Sequence, residues 1–74
     1  METHIKLVNG LWYAFATSGI TVYAIGADIK SPYRYSGKRT DDGVRKVASP
    51  STDKEAATKR AMRYGNYKGV MTEW

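Results

Sequence analysis

The sequence predicts an α+β domain, in which one α-helix packs on one face of a small antiparallel sheet of four to five strands. Three observations favour this fold class. The segment from Leu7 to Ala27 is uncharged and rich in the β-branched and aromatic residues that favour strands. Two turn-forming pairs, Asn9-Gly10 and Ser18-Gly19, divide it into lengths typical of strands. Later in the chain, a capped run of good helix formers begins at Thr52.

Length and composition limit the chain to a single domain over residues 1–74. At 74 residues the chain is near the lower size at which a domain folds alone. It contains no cysteine and one histidine, which excludes disulfides and most zinc sites. The hydrophobic content of 42% is high enough for a globular core. The first residues lack the features of a signal peptide, so we expect a cytoplasmic protein.

The uncharged segment raises the alternative of a membrane helix. Its 21 residues match the length that a bilayer requires. However, polar residues and three glycines interrupt the segment, and its aromatic residues lie in the middle rather than at the ends. The pattern therefore predicts a meander of three strands and no contact with a membrane.

The two turns predict which residues share a face of the sheet. A two-residue loop at Asn9-Gly10 places Ile5 opposite Ala14, and one at Ser18-Gly19 places Phe15 opposite Val22. The first face then carries Ile5, Leu7, Trp12, Ala14, Ala16, Tyr23 and Ile25. The second face carries His4, Lys6, Val8, Leu11, Tyr13, Phe15, Ile20 and Val22. We expect the first face to be the core, because its alanines allow a helix to approach closely, and the second face to be partly solvated.

The remaining elements follow from local patterns. A polar, basic loop is expected at about residues 27–43, a fourth strand at Val44–Ala48 and a last short strand at Val70–Trp74. A helix is expected from Thr52 to Tyr64, with Gly65 as its stop signal.

The helix has a capping signal and a packing stripe. Thr52 and Glu55 form a predicted capping box at its start. Ala57, Ala61 and Tyr64 recur at helical spacing, which gives the helix a narrow apolar stripe to match the alanines of the first face.

The charge of the chain is concentrated in its second part. The net charge is +5, and eleven of the twelve Lys and Arg residues lie between Lys30 and Lys68. Such an asymmetry favours nucleic acid or an acidic protein surface as a partner. The alternative is that the charge serves only solubility.

Basic residues interleaved with tyrosines form the candidate binding surface. Lysine and arginine neutralise phosphates, and tyrosine stacks on bases, so their combination suits nucleic acid. The candidate residues for nucleic acid or another partner are Lys30, Tyr33, Arg34, Tyr35, Lys38, Arg39, Lys59, Arg60 and Arg63. Two alternatives stay open: the loop tyrosines fold back onto the core, or Tyr13 and Phe15 of the second face form the seam of a homodimer.

Motifs for catalysis are not found in the sequence. It has no phosphate-binding loop, nucleophile elbow or metalloprotease motif. Adjacent carboxylates such as Asp41 and Asp42 are usually solvated, so no metal site is expected there. His4 has no identifiable partner for acid–base chemistry. We therefore expect a protein that is not an enzyme and uses no cofactor.

Two families have segments that resemble this sequence. The strand-rich pieces "NGLWYAF", "ITVYAIG" and "VRKVAS" followed by "TDKEAATKRAM" resemble the arm-DNA-binding domains of tyrosine integrases, in which a sheet enters a major groove. The long basic loop and the extra C-terminal strand depart from that pattern. The pieces "VNGLWYAF" and "STDKEAATKRAMRYGNYKGVM" are similar to segments of a small phage anti-CRISPR protein, in the opposite chain order.

These resemblances imply a protein of a phage or mobile element that acts in the host cytoplasm. The first hypothesis is a small basic protein that binds nucleic acid. The alternative is an anti-CRISPR-type inhibitor that docks on a host protein or ribonucleoprotein complex. A basic surface suits both partners, so the sequence leaves the choice open.

Overall fold

The computed structural model describes residues 1–25 and 35–74. Its strands are β1 (Glu2–Val8), β2 (Leu11–Ser18), β3 (Thr21–Ala24), β4 (Ser36–Lys38), β5 (Pro50–Ser51) and β6 (Asn66–Val70). Its helices are α1 (Asp41–Val47) and α2 (Lys54–Arg63). The α+β fold class is confirmed. Within these residues no helix is long and apolar enough to cross a bilayer.

The sheet is mixed rather than antiparallel. Its order is β4-β3-β2-β1-β6, and β5 adds a short pairing to β2. Only the pairing of β1 with β6 is parallel among the described strands. The prediction of an antiparallel sheet of four to five strands with one helix is wrong in these details, because the described residues form six strands, one parallel pairing and two helices. The chain crosses from β5 through α2 to β6, and a helical crossover of this kind joins strands that point the same way.

The first hairpin has the predicted turn and register. Asn9 and Gly10 both have positive φ, 51° and 78°, as a type I′ turn requires. Ile5 lies opposite Ala14, and Leu7 lies opposite Trp12. A local dipeptide signal was therefore sufficient to place these two strands.

The second hairpin turns one residue later than predicted. Its loop is Gly19-Ile20, because Ser18 pairs with Thr21, and Phe15 lies opposite Ala24 rather than Val22. Gly19, with φ of 57°, occupies the first loop position, where a type II′ turn favours glycine. The register shift is two residues, an even number, so the paired side chains keep their predicted faces. Ile20, predicted on the second face, lies in the loop instead.

Helix α2 covers the first face, as predicted. Ala57 and Ala61 are 1% and 0% exposed and pack against the alanines of β2. The Thr3 hydroxyl donates a hydrogen bond of 2.8 Å to the Ala61 carbonyl. The buried cluster on this face consists of Ile5, Ala14, Ala16, Ile25, Ala57 and Ala61.

The ends of α2 differ slightly from the prediction. The N-cap is Asp53 rather than Thr52, and its carboxylate accepts a hydrogen bond from the backbone N–H of Glu55 at 3.0 Å. Tyr64 is the C-cap, so Gly65 follows the helix end as expected. Aspartate caps a helix at least as well as threonine, which explains why the cap lies one residue later.

The second face is also covered, which corrects the prediction that it is partly solvated. Its buried cluster consists of Val8, Tyr13, Phe15, Val22, Ala24, Val44 and Ala48. Tyr13 and Phe15 are 5% and 0% exposed, so they are not available as the seam of a homodimer. The covering groups are α1 and the residues that follow β6.

The predicted fourth strand at Val44–Ala48 is helix α1 instead. Thr40 is its N-cap and accepts a hydrogen bond of 3.0 Å from the Gly43 N–H. Val44 and Val47, three residues apart, share the inner side of the helix. Gly43 lies so close to the Lys38 carbonyl that an added Cβ would overlap it, so glycine is what allows α1 to approach β4 this closely.

The predicted last strand at Val70–Trp74 is also wrong. The strand β6 ends at Val70, after an irregular register and a Gly69 with φ of 107°. The chain then leaves the sheet edge, and Met71 and Trp74 pack on the second face. Packing on this apolar face removes part of both side chains from water, which favours this path of the chain.

Candidate nucleic-acid interface

The candidate basic and aromatic residues fall in separate parts of the fold. Lys30, Tyr33 and Arg34 lie outside the described residues. The others form two groups. The α2 group consists of Lys59, Arg60 and Arg63, and the β4 group consists of Tyr35, Lys38 and Arg39. The structure therefore does not join the two groups into one described surface.

The α2 group lines a single depression together with Ala56. Positions 59, 60 and 63 are one, three and four residues apart, so the three cations project from the same side of the helix. The Arg60 guanidinium donates to the Ser49 carbonyl at 3.3 Å. Arg63 is exposed and forms no ion pair with any described residue. The depression thus presents one anchored and two mobile cations.

One carboxylate lies beside this group. The Lys59 ammonium is 3.7 Å from the Glu55 carboxylate, and both side chains are mostly exposed. An exposed pair at this helical spacing contributes only ~0.3–0.5 kcal/mol. Lys59 can therefore exchange Glu55 for a phosphate at little cost.

The β4 group is held against the β2–β3 turn. The Arg39 backbone N–H donates to the Ile20 carbonyl at 3.1 Å, and its guanidinium Nη1 donates to the Gly19 carbonyl at 2.9 Å. Its Nε is buried and has no acceptor among the described residues. Tyr35 is 55% exposed, so the interpretation in which the loop tyrosines fold onto the core does not hold for this one.

The residues that lie next to the β4 group in the fold are not predicted by the sequence. Lys38 and Arg39 line a depression with Ile20 and Trp74. Lys38 also borders a second depression that contains Lys46. The sequence pattern predicts a strand at Trp74. No local signal in the sequence indicates that this residue packs beside the β2–β3 turn.

A charged network fixes Trp74 on the second face. The Lys6 ammonium is 2.9 Å from Asp41 Oδ1, and the Trp74 indole N–H donates to the same oxygen. Lys6 also lies 5.2 Å from the centre of the Trp74 ring. The hydrogen bond from Trp74, followed by that from Lys6, holds the pKa of Asp41 below its usual value.

The other acidic and imidazole groups do not form a metal site in the described part of the chain. No cluster of three His, Asp or Glu residues occurs there. Asp42 lies 3.4 Å from the Arg45 guanidinium. His4 stacks on Phe15 with ring centres 5.9 Å apart. Burial lowers the pKa of His4, and the charges of Arg39 and Lys68 lower it further, against an opposing effect of Glu2.

Comparison of the chain with family models, curated proteins and solved structures finds no match. The predicted resemblances to integrase arm domains and anti-CRISPR proteins therefore stay predictions. Functional inference rests on the geometry of the two basic groups.

Proposed function

We propose that this protein is a non-enzymatic binding protein that contacts the phosphates of nucleic acid through the α2 group. The observation that supports this most directly is the single depression lined by Lys59, Arg60 and Arg63. Lys59 and Arg63 are exposed, whereas Ala57 and Ala61 of the apolar stripe are buried in the core. Packing of α2 on the sheet therefore does not account for the basic side chains on its outer side.

The spacing of the cations fits a phosphate backbone. Lys59 and Arg63 are separated by four helical residues, a rise of about 6 Å. Phosphates of one DNA strand follow each other at a rise of about 3.4 Å. The rise from Lys59 to Arg63 is therefore about 1.8 phosphate steps, and Arg60 is anchored between them on the Ser49 carbonyl.

A test compares two variants that lose the same charge. Lys59→Gln with Arg63→Gln removes the two mobile cations of the α2 group. Lys54→Gln with Lys68→Gln removes two exposed cations outside this depression, one at the start of α2 and one in β6, and serves as the control. Binding to labelled single-stranded and duplex DNA is measured by fluorescence polarisation from ~50 mM salt upward.

We expect the α2 variant to bind at least ten times more weakly than the control. Two lost phosphate contacts should reduce the slope of log affinity against log salt by about 1.8 on duplex DNA. Equal losses in both variants would mean that net charge alone governs binding. No binding of the parent protein at low salt would contradict the proposal.

A second candidate function is docking on a host protein or ribonucleoprotein complex, as an anti-CRISPR-type phage inhibitor does. The exposed Met62, 60% accessible, supports it, because this side chain lies on α2 beside Lys59 and Arg63. Methionine next to cations suits a protein surface better than a phosphate backbone. A complex captured from host lysate that survives nuclease and is lost in Met62→Ser would favour this function.

A further inference from the structure

The depression at the β2–β3 turn combines apolar, aromatic and cationic groups. It lies on the second face of the sheet, away from α2, and its lining residues are Gly19, Ile20, Lys38, Arg39 and Trp74. It is therefore a surface separate from the α2 group. Its composition differs too, because the α2 depression contains no aromatic side chain.

The Trp74 ring is held in place by contacts on its inner side. Its ring centre lies 5.2 Å from that of Phe15 at a tilt of 39°. Lys6 and Asp41 hold the ring and its indole N–H. The indole is only partly buried, and its remaining surface borders the depression. An aromatic surface fixed before binding loses little conformational entropy when a ligand stacks on it.

Ile20 adds an apolar wall that the turn itself does not require. It is 87% exposed, the largest exposed fraction among the exposed large hydrophobic residues. A type II′ turn places its demand on Gly19, and the second loop position accepts polar residues. An isoleucine here, next to Trp74, therefore enlarges an apolar surface that faces solvent.

Two cations flank this apolar surface. Lys38 is exposed, and neither Lys38 nor Arg39 forms an ion pair with a described residue. Asp41 and Asp42 pair with other groups: Asp41 with Lys6 and Trp74, and Asp42 with Arg45. The side chains that line the depression thus include two cations and no carboxylate.

This combination suits a nucleobase with its phosphate. A base offers a flat π-face to an aromatic or aliphatic wall, and the adjoining phosphate matches the two cations. Bases in a duplex are stacked on each other and cannot reach such a wall. An acidic peptide would match the charge but would leave the exposed apolar wall without a flat partner.

We propose that the depression formed by Ile20, Trp74, Lys38 and Arg39 binds an unstacked base of a single-stranded nucleic acid. The inference rests on the proposed function and specifies the form of nucleic acid that the protein prefers. The α2 group then contacts phosphates in either form, and the Trp74 depression adds affinity for single strands.

The test uses Trp74 as its own reporter. The chain has two tryptophans, so Trp12→Phe leaves Trp74 as the only indole. This variant is titrated with oligo(dT), with a duplex of equal length and with an oligo-aspartate peptide. We expect oligo(dT) to quench the fluorescence at saturation, the duplex to change it little, and the peptide to leave it unchanged.

Affinity measurements on matched variants complete the test. Ile20→Ser should weaken oligo(dT) binding about tenfold and leave duplex binding unchanged. Leu7→Ser removes another exposed apolar side chain, 49% accessible and outside this depression, and should change neither. Thermal melts of all variants establish that each is folded.

The outcomes separate this inference from the proposed function. In one outcome, Lys59→Gln with Arg63→Gln weakens DNA binding, but Ile20→Ser leaves the affinity for oligo(dT) unchanged and oligo(dT) does not quench Trp74. The depression is then not a base site, and the α2 proposal stands. Quenching by the peptide instead of oligo(dT) would assign the depression to an acidic protein partner. Equal affinity of the parent for single strands and duplex would overturn the inference, and no binding of either form would overturn both proposals.

Discussion

The two faces of the sheet are covered in different ways. The first face packs against one regular helix through small side chains, with Ala57 and Ala61 against Ala14 and Ala16. The second face packs under a seven-residue helix and two residues that follow β6, Met71 and Trp74. It contains the aromatic cluster of Phe15 and Trp74 and the charged groups beside it.

The difference teaches which kind of packing local sequence can specify. Helix α2 has ten residues, a cap and a stripe, so its signals lie within its own segment. Helix α1 is too short to be stable alone and forms because Val44 is buried under the sheet. The second face therefore depends on contacts between residues far apart in the chain.

The largest expected loss of stability comes from a substitution on the second face, and it tests whether that face is part of the core. Phe15→Ala should cost about 3–5 kcal/mol, because Phe15 is fully buried and contacts both His4 and Trp74. A domain of this size has about 5 kcal/mol of stability in total, so the variant should be largely unfolded. Urea denaturation followed by circular dichroism measures this. A loss below ~1 kcal/mol would mean that this face is solvated, as the sequence alone suggested.

A smaller effect is expected on the first face. Ala61→Leu should overpack the contact between α2 and the sheet and cost ~1–3 kcal/mol, because Ala61 has no exposed surface. Met62→Leu, an exposed neighbour on the same helix, should change stability by less than ~0.5 kcal/mol. Thermal melts of the two variants give the comparison. A melting temperature of Ala61→Leu equal to the parent's would show that α2 does not dock through its alanines.

The smallest expected effect is a loss of stability at low pH, and it should come from His4 on the second face. Because the pKa of His4 in the folded state lies below the usual 6.5, the unfolded chain binds the proton more readily. The free energy of unfolding should therefore be constant above pH 6.5 and should fall as the pH drops from 6.5 towards the lowered pKa. The lowered pKa of Asp41 adds a further loss only below about pH 3.8.

Melting temperatures measured from about pH 7.5 to about pH 5.5 check this prediction against His4→Gln. The variant lacks the imidazole, so its melting temperature should fall less than the parent's over that range. Identical slopes for the two proteins would mean that the burial of His4 has no energetic effect.

The candidate site could be predicted only in part. The α2 group was found because Lys59, Arg60 and Arg63 share a helix whose inner stripe was already recognised. For the β4 group, the sequence identified Lys38 and Arg39 but not their neighbours. Ile20 is eighteen residues before Lys38 in the sequence, and Trp74 is 36 residues after it. Only folding brings these residues to one depression.

The sequence by itself determined the α+β class, the first hairpin, both residue sets of the sheet faces and the place of α2. Each depends on interactions within a few residues: a turn dipeptide, strand alternation or a helix cap. The tertiary structure decided the parallel pairing of β6 with β1, the helical state of residues 41–47 and the position of Trp74. The parallel pairing follows from the crossover through α2. For residues 41–47 and Trp74 the local preference is weak, and the free energy gained by covering the second face is larger than the difference between the local alternatives.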